Sequence, residues 1–144
     1  MLESKDPENL DIKISDFGFS CFFDPKQGLD LVLGSALYMA PELLERKNYN
    51  EKVDIWSIGV ITYMLLTGCS PFPSRSKSEL KEIILKKPLD FEKDYLKNLS
   101  NQSIDFMKKA LNKDYNQRYS AKQLLDHPWI ADKRKEQAID NETQ

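Results

Sequence analysis

Cysteine is scarce in this 144-residue chain: Cys21 and Cys69 stand far apart, with no C-x-x-C spacing and no nearby histidine. That excludes a disulfide framework and a zinc knuckle, and fits free thiols in a reducing compartment. Histidine is scarcer still. His127, the only one, precedes Pro128 at an expected helix end, where an imidazole can bond the last carbonyls, so it reads as structural rather than catalytic. Charge of one sign is also missing. With 21 basic against 23 acidic residues and a net charge of −2, there is no electrostatic footprint for nucleic acid or for an anionic membrane. No hydrophobic run is clean enough to cross a bilayer. The longest uncharged stretch, Ile55 to Ser74, is interrupted by Ser57, Gly59, Thr62, Thr67, Gly68, Pro71 and Pro73, which suits a buried helix followed by a loop. At the N-terminus, Met1-Leu2 runs at once into Glu3, Lys5 and Asp6, unlike a secretory signal. A cytoplasmic globular chain is the expectation. Internal repeats and low-complexity tracts are absent.

What is there falls into readable pieces. Asp11 to Ser15 alternates polar and apolar residues, as a short half-buried strand does. Residues 16–40 hold Pro25, Gly28 and Gly34 with no sustained periodicity, and a loop of that length inside a compact unit is usually functional. Pro41 is placed to open a helix, where its missing N–H removes nothing that would be bonded. From Val53 to Leu66 the chain is apolar nearly all round, so this helix belongs at the centre of a fold. It is expected to end at Gly68, with Pro71 just beyond. Ser76 with Glu79, and Ser120 with Gln123, have capping-box spacing. A further helix is expected from Ser100, presenting Ile104, Met107, the stem of Lys108 and Leu111 on one face. Ala131 to Gln144 has seven charged residues in 14 and reads as a charged tail distinct from residues 1–130.

The chemistry lies in a few short motifs. Asp16-Phe17-Gly18 and Ala40-Pro41-Glu42 begin 24 positions apart, and Asp54-Ile55-Trp56-Ser57-Ile58-Gly59 and Arg118 follow. Together these resemble the second half of a protein kinase catalytic domain, with the segment between the first two motifs matching the activation segment. Gly34-Ser35-Ala36-Leu37-Tyr38-Met39 is similar to the peptide-binding loop of serine/threonine kinases. Gly59 to Gly68 and Arg118 to Ile130, ending in Leu125-Asp126-His127-Pro128-Trp129-Ile130, resemble the calcium/calmodulin-dependent and calcium-dependent kinase group.

The resemblance implies a mainly α fold: the C-terminal helical lobe of a kinase from the D-F-G strand onward, about five helices around Val53 to Leu66, without the N-lobe. It implies that the intact parent transfers the γ-phosphoryl of ATP-Mg²⁺ to Ser or Thr of protein substrates. Asp16 would be the metal ligand, because Mg²⁺ takes carboxylate oxygens alongside phosphates. Val32, Ser35, Ala36 and Met39 would bind the peptide: Ser35 toward the catalytic Asp and Lys, the other three around the residue after the phosphoacceptor. Glu42 and Arg118 would form a buried ion pair clamping the segment to the helical lobe, and Asp54 would hold the catalytic-loop backbone. The 144 residues contain no Gly-rich loop, no V-A-I-K strand and no H-R-D loop. The base is therefore expected upstream of Met1, with Met1 to Asp6 continuing the strand after it. Catalysis of this kind is mostly positioning and electrostatics, so the chain alone is expected to be inactive and to bind no cofactor tightly. Between Gly18 and Gly34, Ser20 is the only hydroxyl and Asp30-Leu31 stands where many kinases carry an activating phosphosite, so control by loop phosphorylation is not expected. Two other readings compete: a non-catalytic binding or regulatory module, with a possible partner supplying the missing lobe, and a truncated gene product. Trp56, Ile58, Val60 and Met64 are expected to face water as an uncovered apolar patch.

Overall fold

The computed structural model describes residues 12–24 and 26–131. Met1 to Asp6, Asp11, Pro25 and residues 132–144 of the charged tail lie outside them. Five α-helices form among the described residues: α1 (Pro41–Leu44), α2 (Lys52–Thr67), α3 (Lys77–Lys86), α4 (Asn101–Ala110) and α5 (Ala121–Leu125). Short 3-10 turns cover Ala36–Tyr38 and Asp94–Leu96, and residues 128–131 are helical again. The mainly helical lobe expected from the sequence is the fold observed.

The helix starts follow local chemistry. Pro41 occupies the first turn of α1. Ser100 Oγ accepts from the Ser103 amide at 3.1 Å at the head of α4. At α5 both halves of the capping box close: the Gln123 amide donates to Ser120 Oγ at 3.3 Å and the Ser120 amide to Gln123 Oε1 at 2.8 Å. At α3 only half of the expected box forms. Ser76 Oγ takes the Glu79 amide at 3.1 Å, but Glu79 Oε2 accepts from Arg75 N at 2.7 Å instead of from Ser76. The α2 helix ends where expected, with Gly68 in the left-handed region at φ 69°, a conformation that only glycine adopts without Cβ strain. Its amide donates to Met64 O at 2.8 Å.

The α2 helix lies at the centre and supplies a residue to each of three apolar clusters. Trp56 and Val60 pack with Ala40, Phe72, Leu80, Ile84 and Leu111; Ile55 with Phe106, Ala110 and Leu124; Tyr63 with Leu96 and Met107. Each such side chain contributes roughly 1.5–3 kcal/mol on burial. Gly59 lets α2 and α4 touch, since a Cβ there would stand 2.8 Å from Leu111 Cγ and 2.9 Å from Ala110 Cβ.

Two expectations need correction. Of the strand expected over Asp11 to Ser15, the described part shows only a single bridge position at Ile12. Ile12 and Ile14 stand exposed, so the half-buried face of such a strand is not formed. The uncovered patch on α2 is only in part the one expected. Ile58 is exposed as expected, but Trp56 and Val60 are fully buried and Met64 packs partly against the core, while Ile61 and Leu65 join Ile58 in facing water. With Asp54 these positions recur every three or four residues, forming one stripe along the helix.

Candidate functional site

The segment from Asp16 to Glu42 crosses one face of the helical body and encloses a cleft of about 710 Å³. Asp16, Ser35, Met39 and Asp54 all line it. Val32 and Ala36 do not: Val32 is exposed, and Ala36 packs partly against the Trp56 cluster. The structure thus brings four of the six expected metal, peptide and loop-holding residues to one cavity and leaves two outside its lining.

Asp16 sits in the left-handed region at φ 64°, which Asp tolerates because its short side chain bonds locally. Here Oδ1 accepts from the Gly18 amide at 3.3 Å, aligning the carboxylate at the turn. Among the described residues no group of three or more His, Cys, Asp or Glu side chains gathers as a metal site. One exposed carboxylate fits the role of a single ligand to a Mg²⁺ held chiefly by phosphates and water; it does not make a metal site by itself. Asp54, at the start of α2, lines the cleft with much of its surface open to water, and the part that is covered pushes its carboxyl pKa up.

The far end of the segment is fixed by Glu42 and Arg118. Arg118 Nη1 donates to Glu42 Oε1 at 2.7 Å and Nη2 to Oε2 at 2.9 Å, with the two side chains 0% and 3% exposed. Guanidinium and carboxylate match as a planar fork. Two of the three remaining donors are used as well: Nε donates to Asn112 O at 2.9 Å and Nη1 also donates to Lys52 O at 2.9 Å. The guanidinium lies 5.2 Å from the centre of the Trp56 ring, which in turn stacks on Phe72 at 5.6 Å. One buried cation thereby ties α1, the head of α2 and the Asn112 turn together.

His127 has different partners from the helix-end carbonyls expected. The Trp129 amide donates to Nδ1 at 3.2 Å, which places the proton on Nε2, and Nε2 donates to Asp105 Oδ2 at 3.0 Å. Its role is to join α4 to the chain after α5, and it does not line the cleft.

Two residues of the site escape a reading by pattern. Tyr49 and Leu29 exchange both backbone hydrogen bonds at 3.0 Å, and the Tyr49 hydroxyl donates to Leu31 O at 2.7 Å. Ser57 Oγ donates to Tyr38 O at 2.9 Å. Each reaches 18 or 19 positions along the chain, beyond any local periodicity. The Ser35 side chain makes no capping bond to the turn it precedes, so its hydroxyl is not spent there.

A motif-bearing segment clamped by a buried Arg–carboxylate fork onto a central apolar helix defines a kinase-type helical lobe. Comparison with known proteins agrees: the model of the protein kinase domain matches residues 1–130, and the chain belongs to that family. Among similar proteins, CDPK-related kinase 3 of Arabidopsis thaliana is 45% identical over 125 residues, which is 87% of this chain and 21% of that protein. Calcium-dependent protein kinase 17 of the same plant is 45% identical over 130 residues, covering 90% of this chain and 24% of the relative. Calcium/calmodulin-dependent serine/threonine-protein kinase 1 of Oryza sativa subsp. japonica is also 45% identical over 130 residues, 90% of this chain and 21% of the relative. The chain is thus related to the calcium-dependent group of serine/threonine kinases, and spans under a quarter of the length of these three curated relatives.

Proposed function

We propose that this chain supplies the peptide-docking loop, one metal-ligand carboxylate and the helical scaffold of a serine/threonine protein kinase of the calcium-dependent group. The observation that carries the reading is the buried Glu42–Arg118 fork, which fixes the end of the segment so that Ser35, Met39, Asp16 and Asp54 share one cleft. In the whole enzyme ATP-Mg²⁺ supplies the phosphoryl group. Asp16 offers one oxygen ligand to that metal, Ser35 and Met39 contact the peptide inside the cleft, and Val32 and Ala36 contact it outside the cleft lining. Asp54 holds the backbone of the loop that carries the base. A cytoplasmic setting suits the two free, exposed thiols, and no helix among the described residues is long and apolar enough to cross a membrane.

The sequence holds neither the base nor the lysine that clamps the phosphates, so activity depends on a polypeptide that brings them. The exposed stripe of Ile58, Ile61 and Leu65 favours a partner or covalent neighbour of apolar surface on that side. Complementation tests the proposal: mix this chain with a separately made polypeptide carrying the Gly-rich lobe and H-R-D loop of a calcium-dependent kinase, ATP-Mg²⁺ and a serine peptide. Transfer that is lost on Asp16→Ala is expected. Complexes that form but transfer nothing overturn it.

A further inference from the structure

The segment between the D-F-G motif and the docking loop is ordered by a few identifiable contacts. Asp24 nucleates a turn, its Oδ1 accepting the Lys26 amide at 2.9 Å and its carbonyl accepting Gln27 N at 3.0 Å and Gly28 N at 3.1 Å. Gly28 then takes φ 67°, which points the next residue at Tyr49. Leu29 forms its two-way bridge with Tyr49, and the phenol reaches on to Leu31 O. After Gly34, at φ 106°, the chain turns through Ala36–Tyr38, and the Tyr38 carbonyl is caught by Ser57. Residues 32–37 therefore hang between two side-chain anchors, Tyr49 at the Leu31 end and Ser57 at the Tyr38 end. The acidic Asp30 stands between the two residues that Tyr49 holds.

We propose that the Tyr49 phenol is a positioning residue, fixing the Leu31 end of the docking loop in the unmodified chain and so doing by a neutral hydrogen bond what an added phosphate does in loops ordered by phosphorylation. A backbone bridge alone leaves Leu31 free to swing about Asp30; the phenol removes that freedom and sets where Val32 enters the loop. Burial and the nearby Cys21 and Asp30 hold the phenol in its protonated, donating form above the usual tyrosine range, which agrees with this. For its meaning the proposal rests on the peptide-docking reading of Val32 and of the loop from Gly34 to Met39, but its test does not.

The test compares unmodified full-length chain with Tyr49→Phe, which keeps the ring and removes only the donor, and with Ser57→Ala at the other anchor. In wild type the Leu29 amide is expected to be protected from hydrogen exchange without any phosphorylation. In Tyr49→Phe its protection falls about fivefold, the effect of one ordinary hydrogen bond, and the Leu31 carbonyl-carbon resonance moves, while amides within α2 keep their protection. Ser57→Ala is expected to disturb the Met39 amide and to leave Leu29 alone. An unprotected Leu29 in wild type, an unmoved Leu31 resonance in Tyr49→Phe, or an equal loss across α2 overturns the proposal. If these signatures appear but the complemented chain transfers no phosphate, the tether stands and the docking reading falls.

Discussion

Residues 12–35 and residues 36–131 belong to one chain but follow different rules. The helical body buries Trp56, Tyr63, Phe72, Ile84, Leu96 and Met107 almost completely, and buries Arg118 with its carboxylate. The stretch before it holds no fully buried residue among those described, and it exposes Ile12, Ile14, Phe17, Phe19, Phe22, Leu31 and Leu33. Apolar content is therefore not what separates them. The body closes on itself because α2 has neighbours on most sides; the segment is held by a handful of hydrogen bonds and presents its apolar side chains outward. So much apolar surface facing water calls for cover. In a kinase that cover is the natural place for the parts that complete the site.

The sharpest way to break this contrast is at the joint between the two regions. Glu42→Ala is expected to destabilise the fold by roughly 3–5 kcal/mol, because it leaves a buried guanidinium uncompensated. Adding Arg118→Leu recovers only part of that, since the carbonyls of Asn112 and Lys52 lose their donor as well. Chemical denaturation measures both, and single variants that unfold like wild type would contradict the clamp.

A smaller loss is expected inside the body. Gly59→Ala pushes a methyl into Leu111 and Ala110, and overpacking of this kind costs about 1–3 kcal/mol, more than the gain in helix propensity from losing glycine. A melting temperature equal to or above wild type would show that α4 can move aside.

Asp54 gives a change of opposite sign. Its carboxyl pKa is raised on folding by burial, so between the ordinary carboxylate pKa and that raised value the folded state binds more protons than the unfolded one. Stability falls as pH rises through that window and stays lower above it. Asp54→Asn is thus expected to raise stability slightly at neutral pH and to flatten this part of the pH profile, which denaturation at a series of pH values would check. Least of all should the exposed residues matter for folding. Phe22→Ser and Leu65→Ser are expected to change stability by no more than about 0.5 kcal/mol while reducing hydrophobic-dye binding and self-association in sedimentation. A large loss of stability would mean these side chains already have partners.

The body was legible in sequence wherever its causes are local. Continuous apolar residues followed by Gly68 and Pro71 mark α2, and Ser100 and Ser120 mark their helices by their own side-chain bonds. The orientation of α2 was not legible, because a helix apolar nearly all round carries no sign of which face meets its neighbours; Trp56 and Val60 turned in, Ile58, Ile61 and Leu65 out. Glu42 and Arg118 lie 76 positions apart, so only the resemblance to a family joined them. Tyr49 and Ser57 carry no motif, and their partners are carbonyls that every residue possesses. Glu79 shows the limit of local rules: its spacing suits a full capping box, yet the Arg75 amide competes for its carboxylate.

The most direct measurement is phosphoryl transfer by residues 1–144 alone, assayed with labelled ATP-Mg²⁺ and a serine peptide, beside Asp16→Ala as background. A scaffold with a docking loop and one metal-ligand carboxylate, but no base and no phosphate-clamping lysine, predicts no label above that background. Peptide labelling that disappears with Asp16→Ala would contradict the account, because it would require a base among residues to which none has been assigned.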